Sequence, residues 1–156
     1  MTKLPIYQVD AFTNQLFGGN PAAVVPLDQW IPASEMQKIA AENNISETAF
    51  FIPQGDHYEL RWFTPTFEID LCGHATLATA HILFTELNYA KDEIHFHTLK
   101  AGTLTVTRKD DLYTLDFPAR PVAAFEVPDA LIDAIGVKKP TEVLRARDIM
   151  LVYENE

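Results

Sequence analysis

The segment from His74 to Leu87 is apolar nearly all the way round, and no other feature restricts the fold so strongly. At helical spacing Ala75, Leu77, Ala78, Ala80, Ile82, Leu83, Phe84 and Leu87 leave little polar face beyond Thr76, Thr79, His81 and Thr85. Such a helix cannot rest on a surface and has to be enclosed by other elements. The enclosing material follows at short spacing. Glu93 to Thr98, Thr103 to Thr107 and Leu112 to Phe117 read as strands, with turns at Lys100-Ala101-Gly102 and Lys109-Asp110-Asp111. The expectation is an α+β fold, a curved sheet wrapped around one buried helix.

Upstream, Ile6 to Phe12 is a β-prone run, Thr13 to Pro21 a turn-rich loop, and Ala22 to Pro26 a short strand closed by proline. A helix follows in which Met36, Ile39 and Ala40 form the inner stripe. Ser34 with Gln37 spells a capping box at its start, and Asn43-Asn44 stops it. Ile45 to Ile52 then reads as a strand in which Ile45, Glu47, Ala49 and Phe51 share one face. Both of its faces are mostly apolar, so both are covered. Gln54 to His57 turns the chain into a return strand, Tyr58 to Thr64.

Three prolines between Pro118 and Pro128 mark a domain crossing. Residues 1–118 form the first domain, and residues 119–156 a linker with the start of an incomplete second one. In the latter, Asp129 to Ile135 is a small helix stopped by Gly136, and Ile149 to Tyr153 a strand. One helix and one strand cannot bury a core alone.

Composition excludes several functions. Twelve basic residues face 22 acidic ones, a formal net charge of -10, which disfavours binding to a phosphate backbone. The small basic groups at Lys138-Lys139 and at Arg145 with Arg147 read as solvated surface. Cys72 is the single cysteine, so no intrachain disulfide can form. No apolar stretch approaches the ~18 to 20 residues that span a bilayer. The amino terminus lacks the apolar run of a signal peptide, and the expected location is the cytoplasm.

Glu47 is the first candidate for chemistry. A carboxylate between Ile45 and Ala49 on an apolar face loses hydration, the condition under which carboxylates become useful for moving protons near neutral pH. The alternative is an edge carboxylate that points to water. The second candidate is Asp70-Leu71-Cys72-Gly73-His74-Ala75-Thr76, at the mouth of the enclosed helix. Gly73 admits a ligand to the backbone, the first helical N–H groups suit a carboxylate, and His74 can donate to it or relay a proton. The competing account is an ordinary turn into a helix. Cys72 reads as packing rather than as a thiol base. Gly18-Gly19-Asn20-Pro21 forms a loop open to a ligand but has neither dinucleotide nor phosphate-loop spacing. His95 and His97 share a strand face without a third ligand, so they read as solvated and no metal is expected.

Five blocks in order carry a resemblance. They are Val9-Asp10-Ala11-Phe12-Thr13, Phe17 to Val25, Ser46-Glu47-Thr48-Ala49-Phe50, Arg61-Trp62-Phe63-Thr64-Pro65, and Cys72 to Ala78. Together they resemble the PhzF (phenazine biosynthesis PhzC/PhzF-like) family, relatives of diaminopimelate epimerase. The resemblance implies two similar domains, each a curved mixed sheet or barrel around a central helix, with a cleft between them. It implies an isomerase in which Glu47 is the general acid/base, taking a proton from one carbon of a small carboxylate metabolite and returning it at another. Gly73 and His74 would line the carboxylate site, with Asn20 a further substrate contact. No organic cofactor and no metal are implied.

Family members are about twice this long, and nothing after Pro118 matches their second half. Two readings stand: a PhzF-type isomerase, complete or shortened, or a non-catalytic half that binds a small acid or a protein partner. An open sheet also exposes apolar surface, so a homodimer is expected.

Overall fold

In the computed structural model, which describes residues 3–136 and 138–154, strands and helices alternate along the chain. They are β1 (Tyr7–Ala11), β2 (Asn20–Pro26), α1 (Ala33–Asn43), β3 (Glu47–Gln54), β4 (His57–Phe63), β5 (Glu68–Ile69) and α2 (Gly73–Thr85). There follow β6 (Glu93–Thr98), β7 (Thr103–Lys109), β8 (Leu112–Asp116), β9 (Ala123–Ala124), α3 (Asp129–Ile135), β10 (Glu142–Arg145) and β11 (Ile149–Val152). They divide into two compact units, one through Pro118 and one from Ala119.

In the first unit one sheet runs β1-β2-β3-β4-β6-β7-β8, with β5 attached to β4. β2 pairs with β3 and β4 with β6 in parallel, and the other pairs are antiparallel, so the sheet is mixed. α2 packs against β1, β2 and β3 at one end of that order and against β8 at the other. Only a sheet curled around the helix brings them all to it.

Strand alternation sorts the core into two layers. Ala49 and Phe51 of β3 face α2 with Leu60, Trp62, Ile94, Phe96, Leu104 and Val106. Phe50 and Ile52 face the other way, packing with Val25, Leu27, Phe63 and the Met36 and Ala40 stripe of α1. β3 is thus covered on both faces, as its doubly apolar pattern requires. Fully buried side chains of this size each stabilise the fold by roughly 1.5–3 kcal/mol.

α2 is more deeply enclosed than its sequence suggests. Thr76 and Thr79 are fully buried. Each hydroxyl donates to a carbonyl four residues back, Cys72 O at 2.6 Å and Ala75 O at 2.7 Å, so neither needs water. Of the four expected polar positions only His81 and Thr85 keep contact with solvent.

The capping box expected at Ser34 and Gln37 does not form. α1 begins two residues earlier, with Pro32 as its cap and the Pro32 carbonyl accepting from the Glu35 and Met36 amides. That start places Ser34 inside the first turn, where it cannot cap. Gln37 instead donates to the Thr64 carbonyl at 2.8 Å, tying α1 to the end of β4. At the other end Asn44 takes the left-handed conformation (φ 50°) and closes the helix. Asn20 and Pro21, expected in a loop, are the first residues of β2, paired with Ala11 and Asp10.

The second unit holds α3 and a three-stranded sheet, β11-β10-β9. β9 and β10 were not anticipated, because Ala123-Ala124 is too short and Glu142-Val-Leu-Arg145 shows no alternation. Pairing alone makes them strands. Ile132 is the one side chain buried among this unit's described residues, while Leu131, Ile135, Ile149 and Met150 remain exposed. So short a segment cannot enclose more.

Candidate active site

Glu47 opens β3, in register with Ala22 of β2, and alternation puts its side chain on the α2 side with Ala49 and Phe51. At the start of α2, Cys72 is the N-cap residue in extended conformation (φ −141°, ψ 119°), and Gly73 and His74 begin the helix. The two segments meet through His74. Its Nε2 lies 3.0 Å from Glu47 Oε2, and the two side chains keep only 10% and 17% of their exposure. On the opposite edge of the ring, Cys72 Sγ lies 3.4 Å from His74 Nδ1. The thiol, imidazole and carboxylate follow one another in a bent line of contacts, folded so that one ligand atom of each lies within 4.8 Å of the others.

The line is incompletely satisfied. Glu47 Oε2 and His74 Nε2 are buried, yet neither makes a hydrogen bond of acceptable geometry, although they approach at ion-pair distance. Buried polar atoms rarely stay unpaired, so each retains capacity for a third partner. α2 begins here, so the positive end of its dipole lies beside the same groups. Glycine at 73 is not demanded by the protein's own packing, because a Cβ there meets only the Phe117 ring at 3.9 Å. The space beside it is open.

Asn20 is not joined to this line by a contact. Its Oδ1 accepts from Ser46 Oγ at 3.4 Å, one residue before Glu47. His95 and His97 do not converge either. His95 Nε2 sits 3.2 Å from Glu93 Oε1, and His97 stacks on His57 with ring centroids 3.8 Å apart. A groove of about 410 Å³ runs between β1, α2 and β8, lined by Val9, Leu77, His81 and Tyr113 among others. It contains none of Glu47, Cys72 and His74.

Sequence reasoning left Cys72 in the core, and it does pack there at 7% exposure. What it missed is the sulfur's contact with His74. A Cys-x-His spacing across a helix start is the signal that could have shown it, since the N-cap side chain and the second helical residue lie on the same side of the first turn. Burial is the main reason the Cys72 thiol is pushed up to about 12; the Glu47 charge adds to this, and the Ala75 and His74 amides oppose it. The thiol should therefore resist iodoacetamide in the folded protein at about pH 8, reacting more than about 100-fold slower than in urea. Mass spectrometry of the quenched protein checks this, and rapid native labelling would contradict it.

The family model described as phenazine biosynthesis-like protein matches residues 9–143. The chain belongs to this PhzC-PhzF family. A Pseudomonas aeruginosa protein named as an uncharacterized isomerase is 47% identical over 154 residues, 99% of this chain and 59% of the relative. An Enterococcus faecalis crystal structure of the PhzF family superposes with a TM-score of 0.88 at 47% identity, covering 98% of this chain and 58% of that one. A Pseudomonas aeruginosa structure described as a predicted epimerase shares the fold at a TM-score of 0.70 and 21% identity. The PhzF chain thus has the α+β, diaminopimelate epimerase-like fold. It spans about 59% of the length of that curated relative. Among the described residues no helix is long and apolar enough to cross a membrane.

Proposed function

We propose that this chain carries the acid/base half of a PhzF-type isomerase site, with Glu47 as the proton-transfer group. The observation that supports it is the buried Glu47–His74 pair with unmet hydrogen-bonding capacity at the start of an enclosed helix. The Glu47 carboxylate takes a proton from one carbon of a small carboxylate substrate, and the C–H electron pair moves into the adjoining π system. The same proton returns at a second carbon as the double bond shifts. Nothing is oxidised or reduced. His74 and the first amides of α2 hold the substrate's own carboxylate, with Gly73 leaving room for it and Asn20 shaping the near wall.

A second reading, binding of a small acid without turnover, draws on the same unmet hydrogen-bonding capacity of His74, which a bound carboxylate alone would satisfy. One experiment separates the two. Small unsaturated carboxylic acids are incubated with the chain in D2O and followed by proton NMR and thermal shift. Deuterium entering a carbon position supports the isomerase. Thermal shifts that disappear in His74→Ala, with no exchange for any acid, support the binding module.

A further inference from the structure

We propose that Cys72 is a positioning residue for this site, its S–H donating to Nδ1 of His74 and so holding the imidazole with its proton on Nε2, toward Glu47. The inference deepens the assignment of Glu47 and His74 given above and rests on that reading for its catalytic meaning.

The geometry leads there in three steps. His74 touches the thiol with one ring nitrogen, at 3.4 Å, and the carboxylate with the other, at 3.0 Å. A neutral imidazole carries one proton, so one nitrogen donates and the other accepts. With the proton on Nδ1, a bare, electron-rich Nε2 would lie 3.0 Å from a carboxylate oxygen in a site nearly closed to water, where repulsion is poorly screened. With the proton on Nε2 the same contact becomes attractive. That arrangement turns Nδ1 into an acceptor needing a donor, and the thiol is the group that meets it. A thiol held up to about 12 keeps its proton throughout the neutral range, so the donor is always present. A thiol that stays protonated serves here as a donor and not as a base.

A ring fixed in this way presents a donor to whatever enters beside Glu47. A ring free to exchange tautomers would present a donor part of the time and a repelling lone pair otherwise. For histidines that ligate metals, removing the group that orients the ring typically costs about 10- to 100-fold.

The experiment reads the tautomer directly. The chain is labelled with 15N-histidine, and long-range 1H–15N spectra are recorded near pH 8.5, above the usual imidazole titration. The His74 signals, one set among five histidines, are assigned by their loss in His74→Asn. The wild type should show the Nε2–H form alone. Cys72→Ser, which keeps a donor, should retain it, and Cys72→Ala should show mixed or Nδ1–H signals with His81 and His95 unmoved. An Nδ1–H ring in the wild type overturns the proposal whether or not the variants fold. So does an unchanged ring in a folded Cys72→Ala protein. Because no substrate takes part, the tautomer can be as proposed even if Glu47 proves inert, and the two ideas fail separately.

Discussion

Glu47→Gln is expected to lower deuterium exchange into a responsive unsaturated acid by about 10² to 10⁴-fold while leaving the protein folded. Gln has the shape of Glu and cannot take up a proton, so the substitution removes the chemistry and little else. The fold should tolerate it, because the carboxylate stands at the first residue of β3 and its buried oxygen makes no hydrogen bond. The packing that holds β3 comes from Ala49 and Phe51 on one face and Phe50 and Ile52 on the other. Circular dichroism and Trp fluorescence should match the wild type. Since His74 Nε2 would face an amide instead of a carboxylate, acid binding should change far less than exchange does. Equal exchange rates in the two proteins would remove Glu47 from the mechanism.

Gly19→Ala is expected to cost about 2–5 kcal/mol of stability, combining backbone strain with a steric collision. Gly19 has φ +68°, and a Cβ built there would lie 2.2 Å from the Ala11 carbonyl oxygen and 2.9 Å from Thr13 Cγ2. Ala11 is the rung of β1 opposite Asn20, so the obstructing atom belongs to the β1–β2 ladder and cannot step aside cheaply. Gly55→Ala is the internal comparison. Gly55 also has positive φ (+64°), but its Cβ would meet nothing within 4 Å, so only the strain of about 1 kcal/mol remains. Urea unfolding followed by Trp fluorescence measures both, because Trp30 and Trp62 lie in the first unit and are the only tryptophans. Equal midpoint shifts for the two variants would show that the collision is relieved at no cost.

Much of the chain was legible because its signals are local. β6 is bounded as the alternation of Glu93 to Thr98 dictates, and α3 ends at Gly136, which takes the left-handed conformation (φ 73°). Where the reading failed, a partner distant in sequence outweighed a local rule. Ser34 and Gln37 spell a capping box, but Pro32 had already started the helix and the Thr64 carbonyl claimed Gln37. β9 and β10 carry no periodic signal and exist because they pair with each other and with β11. At the site, Glu47, Gly73 and His74 could be named in advance, since a carboxylate on an apolar strand and a glycine at the mouth of an enclosed helix are features of single segments. That they belong to one assembly with Cys72 could not.

By itself, then, the chain's order of residues determined that α2 must be enclosed and that β3 must be covered twice. Those conclusions rest on how much apolar surface each segment must hide, which needs no coordinates. Only the tertiary structure decided which atoms of Glu47 and His74 face one another across the intervening chain. Curling the sheet around α2 set Glu47 Oε2 3.0 Å from one nitrogen of His74 and the Cys72 sulfur 3.4 Å from the other. Contact of that kind depends on register and packing between segments, to which periodicity within each segment is blind.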